Sequence, residues 1–173
     1  MNKFIPGTNS LFENENEFEN YKKMIELGNG ISLSQICNIT RLEPYTIQNW
    51  CKRGYIPHPI NKKYYVKHLS RILLINALKE CMNIDYIGKL LVYINGEVDD
   101  ESDDIISEED LYKMFSHFIY EIDDVDKLEQ IIDSKVKDKK LNICMKAMCY
   151  AYYGSLMSRK SNEYLIKGGV ING

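Results

Sequence analysis

Two adjacent amides and a lysine that share one helix face, with an arginine directly after them, are the residues best suited to chemistry in this chain. They lie in the segment 44–53, Pro-Tyr-Thr-Ile-Gln-Asn-Trp-Cys-Lys-Arg. At about 100° per residue, one side of a helix over this segment is apolar and the other side is polar. The polar side consists of Tyr45, Gln48, Asn49 and Lys52.

These side-chain types are those that contact DNA. An amide offers a donor and an acceptor together, which suits it to the edge of a base. Lysine and arginine neutralise phosphates. We therefore predict base contacts from Tyr45, Gln48 and Asn49, and backbone contacts from Lys52 and Arg53. The alternative is that this polar face is simply solvated.

The flanking residues predict a helix-turn-helix. Ser32 and Gln35 have the spacing of a capping box, which would begin a first short helix. Pro44 suits the first turn of the second helix, and Gly54 suits the position just past its end. The short gap from Ile39 to Pro44 is the tight turn that such a motif requires.

The residues that follow Gly54 predict a small β wing beside the second helix. Pro57 and Pro59 disfavour a helix and favour an extended backbone. Asn61-Lys62 suits the tip of a hairpin. Twin lysines on a loop are usually only solvated, but beside this helix we assign them to the DNA backbone. The predicted contacts of the wing are Lys62, Lys63 and Tyr64.

Segment 31–91 resembles the MerR family of winged helix-turn-helix bacterial regulators, including a poorly characterised family of MerR-like proteins. The resemblance is carried by Thr46-Ile47-Gln48-Asn49-Trp50, by Gly54-Tyr55-Ile56 and by Lys62-Lys63-Tyr64. It implies a dimeric transcriptional regulator and adds Thr46 to the DNA contacts. Gln48 stands where that family usually carries an arginine, and Asn95-Gly96 interrupts the chain where its dimerising helix would run.

Charge is distributed unevenly along the 173 residues, although the net charge is only −3. Segment 31–94 holds nine basic and three acidic residues, whereas segment 95–134 holds two basic and fifteen acidic ones. A basic module beside an acidic one is typical of a DNA-binding protein with a separate partner or effector half. Two alternatives remain: the acidic block only keeps the protein soluble, or acids in 97–110 make the chain a protein-interaction adaptor.

We expect a mostly α-helical fold with four parts. Residues 1–30 are a lead-in with a short amphipathic helix, 31–94 the winged helix-turn-helix, 95–106 an acidic linker and 107–173 a helical C-terminal lobe. The last long helix is predicted over 139–158, with a frayed end after it. Some of its residues could line a pocket for a small-molecule effector, although such a stripe is more often plain core. The candidates are Met145, Met148, Tyr150 and Tyr153.

Several function classes find no support. No nucleophile, base and oxyanion site come together, so we expect no enzyme, no catalytic residue and no cofactor. The acidic residues do not follow the order of a calcium loop, and the lone His117 suggests no zinc site. No apolar run could span a bilayer, and the Met-Asn-Lys start shows no h-region of a signal peptide. Five cysteines without C-x-x-C spacing predict reduced thiols in a cytoplasmic protein.

Overall fold

The computed structural model describes residues 5–8, 17–98 and 104–172, and within these ranges the chain is mostly helical. In chain order the α-helices are α1 (Glu17–Leu27), α2 (Leu33–Thr40), α3 (Pro44–Lys52), α4 (Val66–Leu78), α5 (Ile84–Asn95), α6 (Glu108–Glu121), α7 (Leu128–Lys135) and α8 (Lys139–Lys167). A single 3₁₀ turn, Val125–Lys127, leads into α7. The mostly α prediction is therefore confirmed.

Helices α2 and α3 begin and end where their local chemistry requires. The Ser32 hydroxyl accepts from the Gln35 amide while the Gln35 side chain accepts from the Ser32 amide, which is the predicted capping box. Pro44 occupies the first turn of α3. Gly54 has a φ of +72°, and the Tyr55 amide donates back to the Trp50 carbonyl at 2.9 Å. Glycine adopts this left-handed conformation at little cost, so α3 ends here.

Helix α4 lies at the centre of the protein. Nearly all of its side chains are buried, and it contacts α1, α2, α5, α6 and α8. A helix that is apolar on nearly every side must be covered on nearly every side. One continuous core therefore joins the helix pair α2–α3 to the C-terminal helices.

A buried ion pair crosses this core. The Arg71 guanidinium on α4 donates to the Glu108 carboxylate on α6, and Arg71 Nε donates to the Tyr55 carbonyl at 2.7 Å. Burial raises the pKa of the Glu108 carboxyl, and the charge of Arg71 opposes that rise. One side chain thus contacts both the segment that follows α3 and the start of α6.

The predicted β wing is wrong. The segment between α3 and α4 forms a two-residue turn, in which Ile60 and Lys63 exchange backbone hydrogen bonds of 2.9 and 3.0 Å. Asn61 and Lys62 both have positive φ, as in a type I′ hairpin turn. The described residues contain only two isolated bridges and no sheet, because the pairing of Ile60 with Lys63 does not propagate into strands.

Helix α8 is longer than its sequence predicts. It continues past Ser158 to Lys167, and every residue from Met157 to Asn172 is exposed. Its first half is buried against α4, α5, α6 and α7. The second half therefore extends beyond the packed core, although it was expected to fray.

Candidate nucleic-acid interface

The two faces of α3 are separated as the sequence predicts. Ile47, Trp50 and Cys51 are buried beneath the helix. Tyr45 is 71% exposed, Thr46 is half-buried, and the remaining polar residues of the helix lie in solvent. The polar face consists of Tyr45, Gln48, Asn49 and Lys52. Its side chains make no hydrogen bond or ion pair with the part of the chain that the structure describes, so they are available to a ligand.

Arg53, at the end of α3, is held by an acid. Its Nη2 lies 2.9 Å from Asp85 Oδ1, and its guanidinium stacks 4.7 Å above the Tyr55 ring. The Tyr55 hydroxyl donates to the same carboxylate oxygen, which raises the pKa of Tyr55. Gly88 leaves room for the Tyr55 ring, because a Cβ at position 88 would lie only 2.9 Å from Tyr55 Cδ1.

Asp85 was assigned no role from the sequence. It lies in the first turn of α5, and with Arg53, Tyr55, Lys89 and Tyr93 it lines an open groove of about 610 Å³ beside α3. An acidic residue in a first helical turn is common, so nothing local indicated its contact with α3. Asp85 and Arg53 are 32 residues apart in the sequence, so no local sequence pattern predicts that they pair.

The three residues predicted for the wing have three different environments. Lys62 is exposed at the tip of the turn. Lys63 donates from Nζ to the carbonyls of Gly28 and Asn29, at 3.2 and 2.9 Å, just past the end of α1. Tyr64 is only 3% exposed, so its prediction as a backbone contact is wrong.

Tyr64 is buried because its backbone pairs with Ile31 and its ring enters the core. The Ile31 and Tyr64 amides each donate to the other residue's carbonyl, at 2.9 and 2.8 Å. Burial beside the Cys51 thiol raises the pKa of Tyr64 to about 12. The residue anchors the turn to the chain segment that precedes α2.

The four residues of α8 predicted to line an effector pocket do not share one open surface. Met145 and Met148 are fully buried, and the Tyr153 hydroxyl donates to the Ile122 carbonyl at 2.5 Å. Tyr150 lies on the opposite, exposed side, where its hydroxyl donates to Glu129 at 3.0 Å. Three of the four are therefore core residues, and only Tyr150 is open to solvent.

The acidic block lies only partly within the described residues. Asp99, Asp100 and Asp103 fall outside them. Of the described acids, Glu108 is paired with Arg71, and Glu109 lies 2.6 Å from both Lys22 and Lys113. Those pairs lower the pKa of Glu109 against the effect of its partial burial. These two carboxylates join parts of this chain to each other.

Comparison with known proteins places the chain in a family. A family model described as a domain of unknown function, DUF1836, matches residues 14–115, which run from the start of α1 into α6. The chain belongs to the DUF1836 family. The family's matched region thus includes α2, α3, the turn and the Arg71–Glu108 pair.

One relative is the uncharacterized protein YkrK of Bacillus subtilis (strain 168), which is 31% identical over 111 residues. The match covers 60% of this chain and 45% of YkrK, so the chain spans less than half of that relative's length. No solved structure matches the chain.

The family match overturns one prediction. Membership of the MerR family is wrong, because the model that matches this region is DUF1836 and the relative has no regulator's name. The short motifs around Trp50 and Gly54 are ones that a capped, amphipathic helix can share across families. No helix in the described ranges combines the length and apolar character needed to cross a membrane.

Proposed function

We propose that the chain is a sequence-specific DNA-binding protein and a transcriptional regulator, with α2 and α3 acting as a helix-turn-helix. The observation that carries this proposal is the exposed, unpaired face of α3. Gln48 and Asn49 present amides at its centre, and Tyr45 lies one turn before them. The second helix of a helix-turn-helix lies in the major groove, and amides can distinguish base pairs there.

Charge around this face supports contact with phosphate. Lys52 extends from the end of α3, and Lys62 from the tip of the turn between α3 and α4. Arg53 would join them once its carboxylate partner is displaced by a phosphate. We assign base contacts to Tyr45, Thr46, Gln48 and Asn49, and backbone contacts to Lys52, Arg53 and Lys62. Lys63 contributes its positive charge while it holds the end of α1.

A DNA-binding role has more support than an adaptor role for the acidic block. Glu108 and Glu109 already pair within the chain, whereas the polar residues of α3 do not. We also propose that the protein acts as a homodimer, because two copies would double both the base contacts and the phosphate contacts.

The test is selection of bound sites from a random duplex library at about physiological salt, where non-specific binding is weak. The proposal predicts an enriched motif that is lost when Gln48 and Asn49 are both replaced by Ala. Replacing the exposed Gln130 on α7 and Asn162 on α8 by Ala is the matched control and should leave the motif unchanged. A library without enrichment would refute sequence-specific binding.

A further inference from the structure

The outer face of α8 carries large apolar side chains at intervals of seven residues. Each of the four is substantially exposed: Ile143 by 61%, Tyr150 by 43%, Met157 by 54% and Tyr164 by 66%. Seven residues are nearly two helical turns, so these side chains form a stripe that drifts by only about 20° per repeat. We call this set the α8 stripe.

The stripe lies opposite the buried face of the helix. Met145, Met148 and Tyr152 point into the core, about half a turn away from it. Four residues after each of the first three stripe members comes a small residue, Ala147, Gly154 or Ser161. Apolar residues that repeat at steps of four and three are the pattern by which one helix packs along another. Within the described residues, no helix covers this stripe.

The second half of α8 gives an independent reason for a partner. From Met157 to Lys167 no side chain is buried, yet the helix continues for three turns. An exposed ion pair between Arg159 and Glu80, at 2.8 Å, ties the extension to the core, but no apolar side chain of the extension is packed there. In proteins most of the stability of a helix comes from packing of an apolar face, and intrinsic propensity contributes less. The extension therefore needs a surface to lie against.

We propose that the α8 stripe binds the α8 stripe of a second copy of this chain, with the two helices antiparallel. The two-fold axis would lie beside Gly154. Ile143 would then face Tyr164 of the partner subunit, and Tyr150 would face Met157 of the partner subunit. Each large side chain thus meets a large one, and the extension of each copy lies along the packed half of the other. This proposal deepens, and rests on, the dimeric part of the proposed function.

Charge favours a second copy in this orientation. The extension 157–167 carries Arg159, Lys160 and Lys167 against one acid, Glu163. Arg159 pairs with Glu80 of its own chain, so Lys160 and Lys167 are the cations left for a partner. The segment 121–133, which includes the start of α7, carries six acids and one lysine. Tyr150 contacts Glu129 and Lys146 contacts Asp133, so this acidic segment borders the packed half of the stripe. Antiparallel pairing places each basic extension beside the partner's acidic segment, whereas parallel pairing places the two basic extensions together.

The area available is enough for a specific dimer. A fully buried aromatic side chain removes about 150–250 Å² from water, so a half-exposed one has about 100 Å² left to bury. Four such aromatic side chains and four similarly exposed Ile and Met side chains in a dimer supply about 800 Å². The residues beside the stripe bring the interface to roughly 1,000 Å², the lower limit for a specific one.

The first experiment measures the mass of the full chain in solution by sedimentation. We expect a wild-type dimer of twice 20.2 kDa, and a monomer when Met157 and Tyr164 are both replaced by Glu. Tyr86→Glu is the matched control, since Tyr86 on α5 is 65% exposed and lies off the stripe. It should leave the dimer intact. A monomeric wild type at about 100 μM, or a double variant that remains dimeric, would overturn the proposal.

A second experiment tests the orientation. In a Cys81→Ser background, which removes the exposed thiol beside Gly154, the pair Tyr150→Cys and Met157→Cys should form interchain disulfides when combined in one chain. Either substitution alone should not crosslink. Efficient crosslinking of each single variant would show parallel helices and overturn the antiparallel arrangement.

The two proposals fail separately. A monomer that selects one short site without two-fold symmetry would overturn the dimer and leave DNA binding in place. A dimer that depends on the α8 stripe but selects no DNA site would overturn sequence-specific DNA binding and leave the dimer in place.

Discussion

Arg53 Nη2, at the C-terminal end of α3, lies 2.9 Å from Asp85 Oδ1 at the start of α5. The pair brings a carboxylate to the edge of the polar face proposed to contact DNA. A phosphate that binds Arg53 would have to compete with Asp85, so under the proposed function we expect this acid to reduce the affinity for all DNA alike.

The first prediction concerns this competition. Asp85→Asn should tighten binding to any duplex by up to about 1 kcal/mol, the upper value usual for an exposed ion pair. It should also steepen the dependence of log K on log salt by about 0.9, because one more cation is free to displace a counterion. Fluorescence anisotropy at several salt concentrations measures both. Glu163→Gln removes the same charge from the far end of α8 and should change neither. Weaker binding by Asp85→Asn would mean that Asp85 positions Arg53 instead of competing for it.

Gln48 should determine sequence preference. Because its amide lies exposed at the centre of α3, Gln48→Ala should cost about 1–3 kcal/mol on the preferred site and little on unrelated DNA. Competition between the two duplexes gives the difference directly. An unchanged preference would remove Gln48 from the set of base contacts. Gln130→Ala on α7 is the matched amide control.

Lys62 should act on every sequence equally. Its ammonium is exposed at the tip of the turn, so Lys62→Ala should weaken all duplexes alike and lower the salt slope by roughly one. Lys23→Ala on α1 removes an equal charge away from the turn and serves as the control. A loss confined to one sequence would indicate contact with a base.

The buried pair of Arg71 and Glu108 should behave as a unit in unfolding. Arg71→Met leaves a buried carboxylate without its partner and should cost about 3–5 kcal/mol of unfolding free energy. Adding Glu108→Leu should recover part of that loss, since no buried charge then remains. Urea unfolding of the two single variants and the double variant gives the coupling. Additive losses would show that the two groups do not depend on each other.

The buried tyrosines should make the fold sensitive to alkali. Burial raises the pKa of Tyr64 and of Tyr152 from an ordinary value near 10 to about 12. Because the folded state keeps these hydroxyls protonated, its free energy of unfolding is at its full value below about pH 10. That free energy falls as the pH rises through about 12. Absorbance at 295 nm should therefore show exposed tyrosines ionising first, with the last group ionising as far-UV circular dichroism falls. Ionisation of every tyrosine near pH 10 in folded protein would contradict this burial.

Local signals were enough to place α2 and α3. The capping box at Ser32, the proline at 44 and the glycine at 54 act within one or two turns, so the sequence itself shows them. The two faces of α3 followed from helical periodicity and agree with the burial of Ile47 and Trp50. What the exposed face binds stays a prediction.

The sequence predictions fail at positions whose structure depends on contacts with residues far away in the sequence. Tyr64 follows two lysines and looks exposed, but its pairing with Ile31 turns it into the core. The expected wing lacks strands because only the turn residues pair. Helix α8 continues through the polar residues near Ser158, where its backbone amides still bond carbonyls one turn earlier. The apolar periodicity ends there, so it could not predict the continuation. The contact of Arg53 with Asp85 joins two helices that no local pattern connects.

The Lys63 side chain links two segments that are far apart in the sequence, the end of α1 and the turn between α3 and α4. Its ammonium bonds the Gly28 and Asn29 carbonyls, so the end of α1 is held by a cation that belongs to the turn after α3. Any anion that draws Lys63 away loosens that helix end. Hydrogen exchange at the amides of residues 28–30 should therefore report an anion bound at the turn, and α1 can serve as a built-in sensor of occupancy there.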